Sequence, residues 1–414
     1  MLKNPALADQ GALEVEFAMR RMPVLSALAD RFAETKPFIG QRIAACLHVT
    51  TETANLCAAL TRGGAELAVC ASNPLSTKDD VAAAIQRDTG ADVFAIRGCD
   101  RDTFYRQVRG VLDLRPTLVI DDGADLTTTI HDDHPELLDD IVGGTEVTST
   151  GVLRLRNMSD AGALRYPLLP TNDALTKHLF DNRYGTGQNT VDGILRATNV
   201  LLAGATLVVV GYGWCGRGVA ARASGMGAQV VVTEVDPIRA LEAKLDGFQV
   251  MPSPEAVERA DVVVTATGNR DVVAVEHMRR MKDGAVLCNS GHFDVEIAVE
   301  DLNRAATARR EIRPNCVEYA LDGRRILLLA EGRLVGQAAA EAHPAEVMDM
   351  TFSTQALAVE HLVRSAGALK PGVHPVPRWI EDEVAGAKLH AQGVRIDELT
   401  DQQRRYLADW RVGT

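Results

Sequence analysis

The chain has 414 residues, 46% hydrophobic and 24% charged, with a formal net charge of −12. That length exceeds what one core usually serves and points to two domains; an acidic balance with no basic block argues against nucleic acid or an anionic membrane as partner. No apolar run reaches membrane-spanning length and no basic-then-apolar leader opens the chain, so a cytoplasmic protein is expected.

Residues 1–35 read as helical, with apolar positions at helical spacing through Leu13, Phe17, Met22, Leu25 and Leu28. Strand-like runs follow at 42–48, 66–70, 91–96 and 117–120, and each of the first three leads into a helix-like stretch. That alternation predicts a parallel sheet covered by helices. A second α/β block starts near Asn189 and supplies strands at 207–210, 230–233, 262–265, 285–288 and 325–329. The remainder reads as helical, interrupted at 370–377 where prolines suppress helix. Arg279-Arg280, Arg309-Arg310 and Arg404-Arg405 are expected on solvated helix faces. The seven cysteines are scattered, with no C-x-x-C pair, which predicts a reduced compartment and no bound metal.

The most informative segment is Leu207-Val-Val-Val-Gly-Tyr-Gly-Trp-Cys-Gly216, an apolar strand ending in the G-x-G-x-x-G turn of a dinucleotide site. Gly211 permits the tight turn, Gly213 lets the backbone approach a pyrophosphate, and Gly216 lets strand and helix pack closely. Glu234, about 20 residues downstream at the end of the next strand, suits the two ribose hydroxyls of NAD and repels a 2′-phosphate. Arg239 is the one nearby residue that argues for NADP.

In open α/β sheets, chemistry sits beyond the C-terminal strand ends. Polar clusters stand there: His48-Val-Thr50-Thr-Glu52, Asp121-Asp122-Gly-Ala-Asp125 and Ser290-Gly-His292-Phe-Asp294. Lys177 and Asp181 share a helical face at i, i+4, which suits a catalytic pair and equally an ordinary surface ion pair.

These stretches, with Asn73-Pro-Leu-Ser-Thr77, Thr148-Ser-Thr-Gly151, Asn172-Asp-Ala-Leu-Thr-Lys177, Phe180-Asp-Asn-Arg-Tyr-Gly185, Leu329-Ala-Glu-Gly-Arg-Leu334 and His343-Pro, resemble the S-adenosyl-L-homocysteine hydrolases over almost the whole chain. Ending at Thr414, the chain lacks the longer tail that many members lend to a neighbour's NAD, and so resembles the shorter subgroup of archaea and some bacteria. The resemblance implies two Rossmann-like doubly wound α/β domains and a short helical C-terminal tail. Residues 1–188, completed by 344–388, would bind substrate, 189–343 would bind NAD, and 389–414 would form the tail. It also implies a homotetramer acting on a small nucleoside.

By motif position, Lys177 and Asp181 would bind and deprotonate a ribose 3′-hydroxyl, with Asn182 orienting that end of the site. Asp122, His48 and His292 would manage protons at C4′ and C5′. Thr50 and Glu52 would read the adenine edge, with Met348 and Phe352 on its faces and His343 at the rim. Thr148, Ser149 and Thr150 would reach NAD from the substrate side. On the cofactor side stand Gly211, Gly213, Trp214, Cys215, Gly216, Glu234, Arg239, Thr267, Gly268, Asn269, Ser290, Gly291 and His292.

The chain departs from the family pattern near the substrate. Val147 stands where the family has a ribose-contacting Glu, Lys78 where it has a Gln beside a bound cation, and Gly336, Gln337 and Ala342 where it has an Asn contacting the nicotinamide and, later, a Gly. Three outcomes stay open at this level. One is hydrolysis of S-adenosylhomocysteine or its inosyl relative. A second is a nucleoside dehydratase that stops at a 4′,5′-alkene, as in converting psicofuranine to decoyinine. The third is a non-catalytic NAD-binding regulator.

Overall fold

The computed structural model describes residues 2–411. Six strands come first: β1 (Arg42–Leu47), β2 (Glu66–Ala71), β3 (Asp92–Phe94), β4 (Leu118–Asp121), β5 (Gly143–Glu146) and β6 (Pro167–Pro170). Next are β7 (Thr206–Val210), β8 (Gln229–Thr233), β9 (Gln249–Val250), β10 (Val262–Thr265), β11 (Ala285–Asn289), β12 (Ala308–Arg313), β13 (Cys316–Leu321) and β14 (Arg324–Leu329), with β15 (Gly372–Val373) last.

They form two sheets, ordered β15-β6-β5-β4-β1-β2-β3 and β12-β13-β14-β11-β10-β7-β8-β9. The first is parallel throughout; in the second, only the β12–β13 and β13–β14 pairs are antiparallel. Each sheet winds outward in both directions from its centre, so each has a switch point, between β1 and β4 in one and between β7 and β10 in the other. This is the doubly wound α/β arrangement predicted from the alternating pattern, and it opens a crevice at both switch points. The valine-rich runs form the central strands because they are covered on both faces, as in Leu207, Val208 and Val209, all fully buried.

Helix Ala345–Arg364 returns to the first sheet, where Phe352, Ala356, Leu357 and Val359 join the apolar cluster of Ile43, Ala45, Leu118 and Ile120. The chain thus crosses between the sheets twice. It leaves the first through a single π-helical turn, Asp181–Gly185, continuing into helix Thr186–Thr198, and it returns through residues 339–345. On the return, Ala342 adopts a left-handed backbone (φ 70°).

At the outgoing crossing two helices touch backbone to backbone. A Cβ on Gly218, in helix Trp214–Gly225, would strike the carbonyl oxygen of Arg183. A carbonyl fixed in a helical turn cannot swing aside as a side chain tip can. Gly218→Ala should therefore destabilise the protein by about 1–3 kcal/mol, read as a lowered Tm; an unchanged melting curve contradicts this packing.

Some sequence expectations need correction: Arg279-Arg280 lies in the turn after the short helix Val275–Met278 rather than on a helix face. The N-terminal region is two helices, Ala8–Met19 and Pro23–Thr35, and Leu13 and Phe17 lie exposed at 69% and 60%. The first helix instead buries its small face, with Gly11 against the backbone of Asp80, because only a residue without a side chain lets the two helices approach that closely. Arg309-Arg310 sits on edge strand β12 rather than a helix, with Arg310 paired to Glu318 across the ladder at 2.9 Å. In the tail, helix Arg378–Ala391 gives way to a non-helical run before helix Asp401–Ala408; residues 412–414 of the expected tail lie outside the described residues.

Candidate active site

The two crevices face one another across a cavity of about 410 Å³. From the first sheet, His48 follows β1, Asp122 follows β4, Val147 follows β5 and Asn172 follows β6; from the second, Gly213 follows β7, Thr267 follows β10 and His292 follows β11. Parallel strands bring all of these to one edge, which is why residues so distant in sequence meet here.

Asp122 is the centre of one group. Its Oδ2 accepts from Ser72 Oγ at 2.9 Å and lies 3.4 Å from His48 Nε2, while its Oδ1 lies 3.5 Å from His292 Nδ1. His48 Nδ1 lies 2.7 Å from Ser76 Oγ and 3.1 Å from Ser72 Oγ, and its Nε2 faces the Asp122 carboxylate, which steadies a proton on the ring. Burial pushes His48 down to about 4 despite the pull of Asp122, so the ring is neutral at physiological pH. Burial pushes Asp122 up, but His48, His292, the Ser72 hydroxyl and Lys177 outweigh it and hold the carboxyl below its ordinary value. Asp122 Oδ1 and His292 Nε2 are buried without hydrogen-bond partners, the condition of groups awaiting a ligand. Ligand-type atoms of this trio lie within 4.8 Å of one another.

Lys177 and Asp181 anchor the second group. The expected shared helical face is in fact a short helix, Leu175–His178, followed by the π-helical turn, yet Lys177 Nζ still lies 3.6 Å from Asp181 Oδ1. The ammonium also donates to Asn182 Oδ1 (2.6 Å) and Asn172 Oδ1 (3.2 Å). Asp181 meets His343 Nδ1 at 3.2 Å and accepts from Thr351 Oγ1 at 2.9 Å. Burial alone would raise Asp181; Lys177, His343 and Thr351 reverse this and hold it well below the usual carboxylate range. Unlike a surface pair, both partners are almost fully buried.

At the far end of the cavity Thr50, Glu52, Met348 and Phe352 line the wall. Glu52 Oε1 accepts from Thr51 Oγ1, and Glu52 Oε2 is buried with no partner. Val147 supplies an apolar patch on the same wall. Lys78 is not on the wall; its ammonium pairs with Glu14 and Glu341.

The cofactor side fits a dinucleotide. Gly211 has a left-handed backbone (φ 98°), and a Cβ there would press on the Ala266 carbonyl at 2.8 Å. Gly213, on the wall, caps helix Trp214–Gly225 without any side chain occupying its first N–H groups, which leaves them for an anion. The Trp214 ring lies against both His178 and the Arg217 guanidinium. Thr148, Ser149, Thr150, Cys215, Arg239, Gly268, Ser290 and Gly291 also line the wall. Gly211, Gly216, Glu234 and Asn269 stand behind it. The Glu234 carboxylate accepts from the N–H groups of Tyr212, Val235 and Asp236, tying β8 to the glycine turn, and Asn269 caps its own exposed turn.

Several wall residues carry no sequence signal: Thr186, Asn189 and Thr190. Two buried carboxylates act from behind. Glu146 accepts from the N–H groups of Gly123, Ala124 and Thr148, and Glu296 from those of Thr267 and Gly268. Each fastens one strand-end loop to its neighbour. A lone Glu at a strand end is unremarkable in sequence; the loops that surround it are what define its role.

Fold and cavity together define a dinucleotide-dependent α/β enzyme, with the glycine turn on one sheet and Lys177, Asp181, His48 and Asp122 brought to it from the other. Residues 182–342 match the family profile described as S-adenosyl-L-homocysteine hydrolase, NAD binding domain, and residues 1–135 match that described as S-adenosyl-L-homocysteine hydrolase. The chain is 57% identical to an adenosylhomocysteinase of Aquifex aeolicus, over all of this chain and 99% of the relative. Against those of Saccharolobus solfataricus and Thermococcus kodakarensis it is 53% and 52% identical, over all of this chain and 99% and 98% of theirs. The chain belongs to the S-adenosyl-L-homocysteine hydrolase family, and it is an NAD-dependent enzyme of that family. Among the described residues no helix is long and apolar enough to cross a membrane.

Proposed function

We propose that the chain hydrolyses S-adenosyl-L-homocysteine to adenosine and homocysteine. The observation that carries this is one cavity in which a Lys177–Asp181 pair and an Asp122–His48–His292 trio both face the glycine turn. When bound, NAD accepts hydride from the ribose C3′ and later returns it, which makes the C4′ hydrogen acidic in between.

Lys177 and Asp181 bind the 3′-hydroxyl and take its proton, with Asn182 and Asn172 fixing the ammonium. His48 Nε2, poised against Asp122, removes the C4′ proton; His292 protonates the departing thiolate and then deprotonates the water that adds at C5′. The free oxygen of Glu52 accepts from the adenine amino group, with Met348 and Phe352 against the ring and His343 closing the rim. Arg239, beside Gly213, pairs with the pyrophosphate, which removes it as an argument for NADP. The full-length relatives favour hydrolysis over arrest at the alkene. Mixing the protein with S-adenosylhomocysteine should release free thiol stoichiometrically with adenosine; nucleoside turnover without thiol overturns the reading.

We further propose a cytoplasmic homotetramer. Ile238, Leu241 and Leu245 leave an apolar stripe exposed at 77%, 58% and 80% on helix Pro237–Leu245, with Val235 at 98% just before it, more than a lone subunit ordinarily shows in one patch. Light scattering at micromolar concentration should give the tetramer mass, and a monomer contradicts it.

A further inference from the structure

Two carboxamides make a corner of the cavity that the proton-transfer scheme does not use. Asn189 projects from helix Thr186–Thr198 and Gln337 from the short helix Val335–Ala338. Asn189 is 4% exposed and its side chain hydrogen-bonds to no described residue. Gln337 Oε1 is buried with no partner. Buried amides are nearly always satisfied, because leaving them dry is costly. Room for Asn189 comes from the neighbouring position: any Cβ on Gly336 would collide with the Asn189 amide.

The location says which part of a ligand arrives there. Thr190, next to Asn189, bonds through its hydroxyl to Ser290 at 2.9 Å, which puts the corner beyond the end of β11. A dinucleotide laid across the switch point, with its pyrophosphate at the glycine turn, has one nucleoside over β7 and β8, beside Glu234, and the other over β10 and β11. The second end also faces Lys177, Asp122 and His292, so the reacting ring belongs there. A nicotinamide ring carries one carboxamide, with an acceptor oxygen and an NH₂ donor.

We propose that Asn189 and Gln337 form a carboxamide-reading pocket, in which Asn189 Nδ2 donates to the nicotinamide oxygen and Gln337 Oε1 accepts from its NH₂. The pair fixes the rotation of the ring and hence the face presented to substrate. This rests on the assignment of NAD as cofactor.

The test is direct binding to cofactor-stripped protein, followed by intrinsic tryptophan fluorescence. The probes are NAD, 3-acetylpyridine adenine dinucleotide, which keeps the carbonyl but lacks the NH₂, and ADP-ribose, which lacks the ring. Wild type should hold NAD about tenfold tighter than the acetyl analogue. Gln337→Leu should lose that discrimination by weakening NAD alone. Asn189→Ala should weaken NAD and the acetyl analogue by the same factor, about tenfold. Both variants should bind ADP-ribose as wild type does, which shows that the rest of the site is intact. Discrimination retained in Gln337→Leu, or ADP-ribose binding lost in step with NAD, overturns the proposal. A wild-type protein that binds ADP-ribose but discriminates in favour of the acetyl analogue does the same, whereas one that binds none of the three overturns the cofactor assignment as well.

Discussion

Asp181→Ala should lose about a thousandfold in turnover, and adenosine mixed with the variant should no longer raise the absorbance of reduced nicotinamide. The size follows from what the carboxylate does. It is held as an anion by Lys177, His343 and Thr351, in a site where burial alone would have neutralised it. Placing a proton acceptor against the 3′-hydroxyl is a general-base contribution, worth about 10²–10⁴ in rate. Lys177→Ala should behave alike, since the two share one task and their effects should not multiply. Near-normal reduction of the nicotinamide by either variant would remove the pair from the oxidation step.

Asp122→Asn should separate the reaction into halves. The amide keeps the shape and the Ser72 contact but cannot hold a proton against His48, so the first oxidation should proceed while thiol release falls by about 10²–10⁴. Adenosine should still reduce the nicotinamide, but exchange of its C4′ hydrogen with deuterated water should stop. His48→Ala should share this phenotype. In the wild type, His48 is held at about 4, so it stays an unprotonated base throughout the neutral range. The acidic limb of kcat/KM should therefore lie nearer 4 than the ordinary imidazole value of about 6.5, with activity lost as pH falls through it. A limb near 6.5, or C4′ exchange undiminished in Asp122→Asn, would assign the proton transfer elsewhere.

Most strands legible in the sequence lie inside the sheets, where Val and Leu are buried on both faces, and β3 at an edge is legible too. Several of the missed ones lie where local composition opposes the strand. β5 begins Gly143-Gly144, and the reason for glycine is tertiary: a Cβ on Gly143 would press on Leu362 and Pro167. β6 begins and ends in proline, and β12 is exposed along its whole length and rich in arginine. In the site, His48, Asp122, Lys177, Asp181 and His292 announce themselves as polar residues at strand ends or at helical spacing. Asn189 does not, since an amide on a helix is ordinary until its neighbours leave it without partners, and Gln337 stands out in the sequence only as a departure from the family pattern. The sequence assigns Glu234 to the ribose; in the structure its carboxylate ties down the glycine turn, a role its position in the sequence does not announce.

The two chain crossings carry one more consequence. The outgoing crossing begins at Asp181 and the returning one contains His343, and these two side chains meet at 3.2 Å. Both crossings thus run through reacting groups, so a rotation of one sheet against the other acts directly on this contact, as it does on that of Asp122 with His292. Ala342, next to His343, sits in a backbone conformation that costs an L-residue about 1 kcal/mol or more. The return crossing thus carries a strained residue directly beside the histidine that touches Asp181.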